Sequence, residues 1–156
     1  MTILRLFSIA FLLIAGAAAA GAQTPKTKPA PVASVAPAAS AKASAAYAEV
    51  LLRKTELLST LEALLVDYTE DYPKVKDLRY EVGLLQKELD RLMAVAPADA
   101  ARLTAALGKL MVRKCELATD LWNLQKEFND AHPDVKRAKR KTEIFESAVN
   151  DLLTGK

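Results

Sequence analysis

The chain of 156 residues has one cysteine, one histidine and one tryptophan, and its formal net charge is only +3. Each scarcity removes a class of function. One cysteine cannot form an internal disulfide. The lone histidine, His132, has no other His, Cys or clustered carboxylates at ligand spacing, so neither a metal site nor a nucleophile–base–orienter triad can be built around it. A Gly-x-x-x-x-Gly-Lys phosphate loop is missing as well. No catalytic, cofactor or metal residue is assigned, and no enzymatic activity is expected. A charge this small does not call for a polyanionic partner, and nucleic acid is not expected as one. The part expected to fold, about Ala45 to Leu153, also lacks hairpin dipeptides and is rich in Leu, Ala, Glu, Lys and Arg, which points to an all-α domain.

The amino-terminal stretch is apolar and small. Residues 1–22 carry Arg5, then the apolar run Leu6 to Ile14, and close on Ala20-Gly21-Ala22 before Gln23, the pattern of a secretory signal cleaved after Ala22. The rival reading is an uncleaved anchor, which alone would bring a membrane into the picture. The strongly apolar part is shorter than the roughly 20 residues a spanning helix needs. Cleavage removes Arg5 from the +3 total and leaves +2. Residues 23–44 are mostly Ala, Pro, Lys and Ser, bury too little to offset their ordering entropy, and read as a disordered linker. The expected location is the periplasm or the medium.

Beyond the linker the chain repeats itself. Residues 51–93 align without a gap on residues 111–153, sixty positions on, with ten identities. Arg53, Lys54, Glu56, Leu57 and Leu61 match Arg113, Lys114, Glu116, Leu117 and Leu121, and Leu64, Pro73, Val75, Lys76 and Leu92 match Leu124, Pro133, Val135, Lys136 and Leu152. A unit duplicated at this length is one supersecondary element made twice. Apolar steps of three, four and seven through Tyr47, Val50, Leu57, Leu61, Leu64 and Tyr68 mark a helix face, and Val75, Leu78, Val82, Leu85, Leu89 and Leu92 form a heptad seam. The second copy carries Leu103 to Phe128 and Val135 to Leu152 in the same way. Pro97, followed by Asp99, is expected to open a third helix of about 33 residues.

Tyr72-Pro73 and His132-Pro133 break each copy in two, because proline is excluded from helix interiors and bends the residue before it out of the helical region. Two antiparallel helical hairpins follow, covering residues 45–95 and 97–154; the competing reading is a kinked rod. One hairpin buries too little to stand alone. Leu51, Leu58, Leu65 and Tyr72 form a second apolar stripe, with Met111, Ala118, Gln125 and His132 as its counterpart and Trp122 adjacent. Through this stripe the hairpins either close on each other as a four-helix bundle or stack against another chain.

The remaining chemistry-bearing residues have structural readings beside functional ones. Cys115 is a small core residue or the site of an intermolecular disulfide, which an oxidising compartment permits. Lys136, Arg137, Lys139, Arg140 and Lys141 form a solvated basic face or touch an anionic polysaccharide or lipid head group. Lys54 and Lys114 interrupt the seam in both copies and are expected to keep their ammonium groups in water.

The stretch from Leu64 to Leu92, with Tyr68, Tyr72-Pro73-Lys74-Val75 and the seam behind it, and the second copy with Phe128 and His132-Pro133-Asp134-Val135, resemble the periplasmic coiled-coil region of polysaccharide chain-length determinant proteins and related bacterial tyrosine autokinases. In that family an aromatic residue precedes a His-Pro-x-Val turn. The resemblance covers about thirty residues per copy. The family's paired transmembrane helices and nucleotide-binding domain have no counterpart here, so chain-length control does not carry over. The resemblance implies helical hairpins in a bacterial envelope. The expected function is a non-catalytic, exported structural or protein-interaction module, acting on itself or on an envelope protein, with a link to polysaccharide assembly; the alternative is a soluble periplasmic chaperone-like or ligand-binding module.

Overall fold

A computed structural model describes residues 41–155, whose regular elements are all helical. The expected signal (1–22) and most of the expected linker (23–44) lie outside the described residues. The elements are α1 (Ala45–Asp67), α2 (Pro73–Met93), a 3-10 helix (Pro97–Arg102), α3 (Ala105–Glu127) and α4 (Pro133–Thr154).

Local chemistry sets these boundaries. The hydroxyl of Ser44 accepts a hydrogen bond from the Tyr47 amide (3.2 Å), and that of Thr104 accepts one from the Leu107 amide (3.3 Å), satisfying first-turn donors that have no intrahelical acceptor. Pro73 and Pro133 occupy the first positions of α2 and α4, where a missing N–H costs nothing. α4 stops at Gly155, in the left-handed region at φ 71°, its amide bonded to the Asp151 carbonyl.

Two expected boundaries move. Ala41 is buried, and the Ser44 hydroxyl donates to its carbonyl (2.6 Å), so residues 41–44 belong to the fold and not to the linker. The long third helix is also wrong. Pro97–Arg102 is a separate 3-10 helix, the chain turns at Leu103 (ψ 58°), and α3 restarts after Thr104 with 23 residues, about 35 Å. The Leu103 carbonyl is taken instead by the amide of Ala46 (3.2 Å), a tertiary bond that sequence periodicity does not reveal.

α1 packs along α2, and α3 along α4. Contacts between α1 and α2 run in opposite chain directions: Arg53 meets Glu81 and Lys54 meets Gln86, while Glu70 meets Arg79 and Asp71 meets Lys76 beside the turn. Contacts between the two copies follow another order. α1 and α3 run parallel, with Ala46 bonded to Leu103, Gly108 against Ala46 and Glu49, and Arg53 3.5 Å from Glu116. α2 lies on α3 through Tyr80 stacked on Trp122 (centroids 4.4 Å apart) and Asp77 accepting from Lys126 (2.8 Å). α4 packs chiefly on α3, touches the 3-10 helix and meets α2 through Arg91 with Glu146 and Asn150. The copies therefore form a stack in which α3 is the inner helix, not a closed square of four.

Gly108 permits the tight α1–α3 crossing. A Cβ placed there would stand 2.7 Å from the Cβ of Glu49 and 2.8 Å from the Ala46 carbonyl oxygen. The surface that α3 turns inward carries Gly108, Met111, Cys115 and Thr119, spaced three and four apart and all buried. Of the stripe that could either close the copies on each other or meet another chain, only the second-copy residue Met111 enters the joint. Leu51 and Leu58 remain 41% and 37% exposed, whereas Met111, the counterpart of Leu51, is fully buried.

Candidate interaction surface

The two turns are built alike. Tyr72 stacks on Tyr68 (4.2 Å between centroids) and His132 on Phe128 (4.2 Å), so an aromatic four residues earlier braces the residue before each proline. His132 Nδ1 accepts the Asp134 amide (3.2 Å), a helix cap that Tyr72 cannot supply. Asp71 beside Lys76, Asp130 beside Lys139 and Asp134 beside Arg137 are held below the usual carboxylate range by those hydrogen bonds. Each of these aspartates is at the surface. The histidine is a turn residue with local partners.

Between α2, α3 and α4 lies an ionic cluster that the sequence did not disclose. Lys114, only 12% exposed at its side chain, donates to Glu88 and to Glu146 (2.7 Å). Arg91 reaches Glu146 (3.1 Å) and Asn150 and lies 3.7 Å from the second oxygen of Glu88, which accepts no hydrogen bond among the described residues. Burial opposes the Lys114 charge, but the hydrogen bonds and charges of Glu146 and Glu88 outweigh it and raise its pKa above that of an ordinary lysine. Glu146 is likewise penalised by burial and then lowered by Lys114 and Arg91. The expectation that both seam lysines keep their heads in water therefore fails for Lys114. In the first copy Lys54 bonds Gln86 (2.5 Å) at the surface.

Cys115 is 1% exposed, and burial, aided by the charge of Glu88, pushes its thiol up to about 12. A thiol so enclosed and protonated does not fit an intermolecular disulfide; it is a core residue of the α1–α3 joint. Trp122, adjacent to the second stripe, fills the space between α3 and α2, half-buried between Tyr80 and the Lys126 ammonium, which sits 3.3 Å from its ring centre. Part of the basic run is engaged locally, Arg137 with Asp134, Lys139 with Asp130 and Arg140 with Glu143.

What stays open is apolar. Leu51, Leu52, Leu58 and Val66 stand along α1 with Val66 82% exposed, and Leu65 is partly covered. On the far side Ile144 of α4 is half-exposed. Between α2 and α4 an open groove of about 610 Å³ runs over α3, floored by Leu84, Ala118 and Leu121 and edged by Lys114, Glu146 and Asn150. No group of His, Cys, Asp and Glu among the described residues has the geometry of a metal site, and no described helix is long and apolar enough to cross a membrane. Comparison with protein families, curated proteins and solved structures finds no match for this chain.

Proposed function

We propose that this protein is a non-catalytic, exported interaction module of the bacterial envelope that works by presenting helix faces to a protein partner. One observation carries the reading: large aliphatic side chains, Leu51, Leu58 and Val66, stand in solvent on α1, although Met111, the counterpart of Leu51, is fully buried in the second copy. Exposed aliphatic groups in a row favour contact with another apolar surface. The charged side chains nearest the core, Lys114, Glu88, Glu81 and Arg53, are engaged with one another and supply packing register, not a reaction site. Export rests on residues 1–22, and the link to polysaccharide assembly on the resemblance of the two turns. The groove over α3 favours the second reading, a module that takes an apolar ligand or an unfolded chain.

The test is a photo-reactive amino acid at Leu58, with Lys87 on α2 as control, in cells separated into cytoplasmic and envelope fractions. Protein in the envelope fraction with cross-links from position 58 and none from 87 is the expected result. A cytoplasmic protein, or equal labelling at both sites, defeats the reading. Binding of an apolar dye that is abolished by Leu121→Glu, with no cross-link from 58, selects the groove.

A further inference from the structure

The joint between the two copies is made of unlike surfaces. On α1 it uses the side bearing Ala46, Glu49 and Arg53; on α3 it uses the side bearing Gly108, Met111 and Cys115. Sixty residues away, the counterparts of each are exposed: Ala106, Lys109 and Arg113 on α3, where Lys109 and Arg113 edge the open α1–α3 groove, and Ala48, Leu51 and Thr55 on α1. A contact between two different faces of a repeated unit is head-to-tail and leaves one face of each kind unsatisfied. This chain thus ends on one side with the surface that α3 uses inside and on the other with the surface that α1 and α2 use inside.

Resting on the interaction-module reading, we propose that the partner is a second copy of this chain, whose α1 face docks on the outer α3–α4 face of the first and repeats the internal stacking step. Charge agrees with it. The internal pair Arg53–Glu116 becomes Arg113 of one copy with Glu56 of the next, residues identical in both repeats. The stacked Tyr80–Trp122 becomes Arg140 with Glu62, an opposite-charge pair in place of an aromatic one. Arg113 and Arg140 expose 53% and 76% of their side chains; among the described residues Arg113 pairs with Glu116, which it shares with Arg53, and Arg140 pairs with Glu143 on its own helix. Leu51 takes the place of Met111 and meets a face that holds half-exposed Ile144 and partly covered Leu110.

One position makes the outer joint looser than the inner. Ala48 stands where Gly108 does, and its methyl group meets the next copy where no methyl group fits inside. Association is therefore reversible, and Ala48→Gly tightens it.

The test is sedimentation velocity of the purified chain over about 1 to 100 μM, a range suited to micromolar affinity. Average mass is expected to rise with concentration past the dimer, because each addition leaves both free faces in place. Leu51→Arg/Leu58→Arg blocks the α1 face, and Arg113→Glu/Ile144→Glu blocks the α3–α4 face. Each variant alone is expected to be monomeric and helical by circular dichroism. Mixed, the two should give a one-to-one dimer that grows no further, and Ala48→Gly should lower the apparent Kd about tenfold. A wild-type chain that stays monomeric, a second variant that still dimerises, a mixture that does not associate, or an unchanged Kd in Ala48→Gly overturns the proposal. The cross-link at Leu58 keeps the parent reading separate: a product heavier than the monomer by another protein's mass, from a monomeric chain, ends self-stacking and leaves the interaction module standing.

Discussion

The two copies of the repeat share one apolar pattern and ten identical side chains and end in different surroundings. Gly108, Met111, Cys115 and Thr119 are buried, while Ala48, Leu51, Thr55 and Ser59 at the equivalent positions are exposed. The second helices differ in the opposite sense. α2 buries Val75, Leu78, Glu81, Leu85, Glu88, Leu89 and Leu92, whereas α4 buries only Val135 and Val149. A helix's own pattern supplies one seam for its neighbour within the copy; the second buried face comes from its place in the stack. α3 and α2 lie inside, and α1 and α4 lie at the ends.

Matched substitutions turn this difference into measurable energies, best followed by urea unfolding with circular dichroism at low protein concentration. Met111→Asp puts an unpaired charge in the joint and should cost about 4 kcal/mol or more, whereas Leu51→Asp at the same repeat position should cost under about 1 kcal/mol. Equal losses would break the comparison.

The seam lysines should separate next. Lys114→Ala leaves Glu88 and Glu146 facing each other with Arg91 as their one shared cation and should cost about 3 kcal/mol, while Lys54→Ala removes one surface hydrogen bond and should cost less than about 1 kcal/mol. Mutating Glu88 to Gln in the Lys114→Ala background should restore part of the loss, because it removes a stranded buried charge.

Much of the architecture could be read before any coordinates, and the lysines show where that reading ends. Pro73 and Pro133 act through the ring and missing N–H that they present to their own neighbours, so the helix breaks at the two turns follow from the chain alone. Lys54 and Lys114 have the same local pattern; Lys54 meets Gln86, Lys114 meets the repeat equivalent Glu146, and the arrival of Glu88 from α2 completes the difference. The missed residue Gly108 did leave a signal: Gly, Met, Cys and Thr at three- and four-residue spacing replace Ala, Leu, Thr and Ser, a change toward close approach on one face of α3.

Cys115 offers a pH-dependent version of the same contrast. Its folded pKa of about 12 lies above the ordinary value of 9.0, so its contribution is complete below pH 9 and is lost as pH rises toward 12. By pH 10 the loss should be about 1.4 kcal/mol, and Cys115→Ala should flatten that slope. Lys114, also raised, adds a loss of the same sign only above its ordinary 10.5. A wild-type profile flat from pH 8 to 10 would mean that the thiol is open to water.

The smallest effect belongs to the turns. Exchanging Tyr72→His and His132→Tyr keeps both stacked pairs and loses or gains one amide cap, so stability should move by less than about 1 kcal/mol in either single variant. A larger loss in His132→Tyr alone would show that the second turn depends on its histidine in a way the first does not.

By itself the sequence determined the duplicated unit, the helical class, the proline turns and the apolar seam of each helix, because these arise from backbone sterics and from periodicity within a few residues. Tertiary structure alone decided which copy of a face is covered, where α3 begins, and which lysine is buried. Burial is a property of what lies opposite, and equal local patterns acquire unequal environments once one unit stacks on another in a single direction.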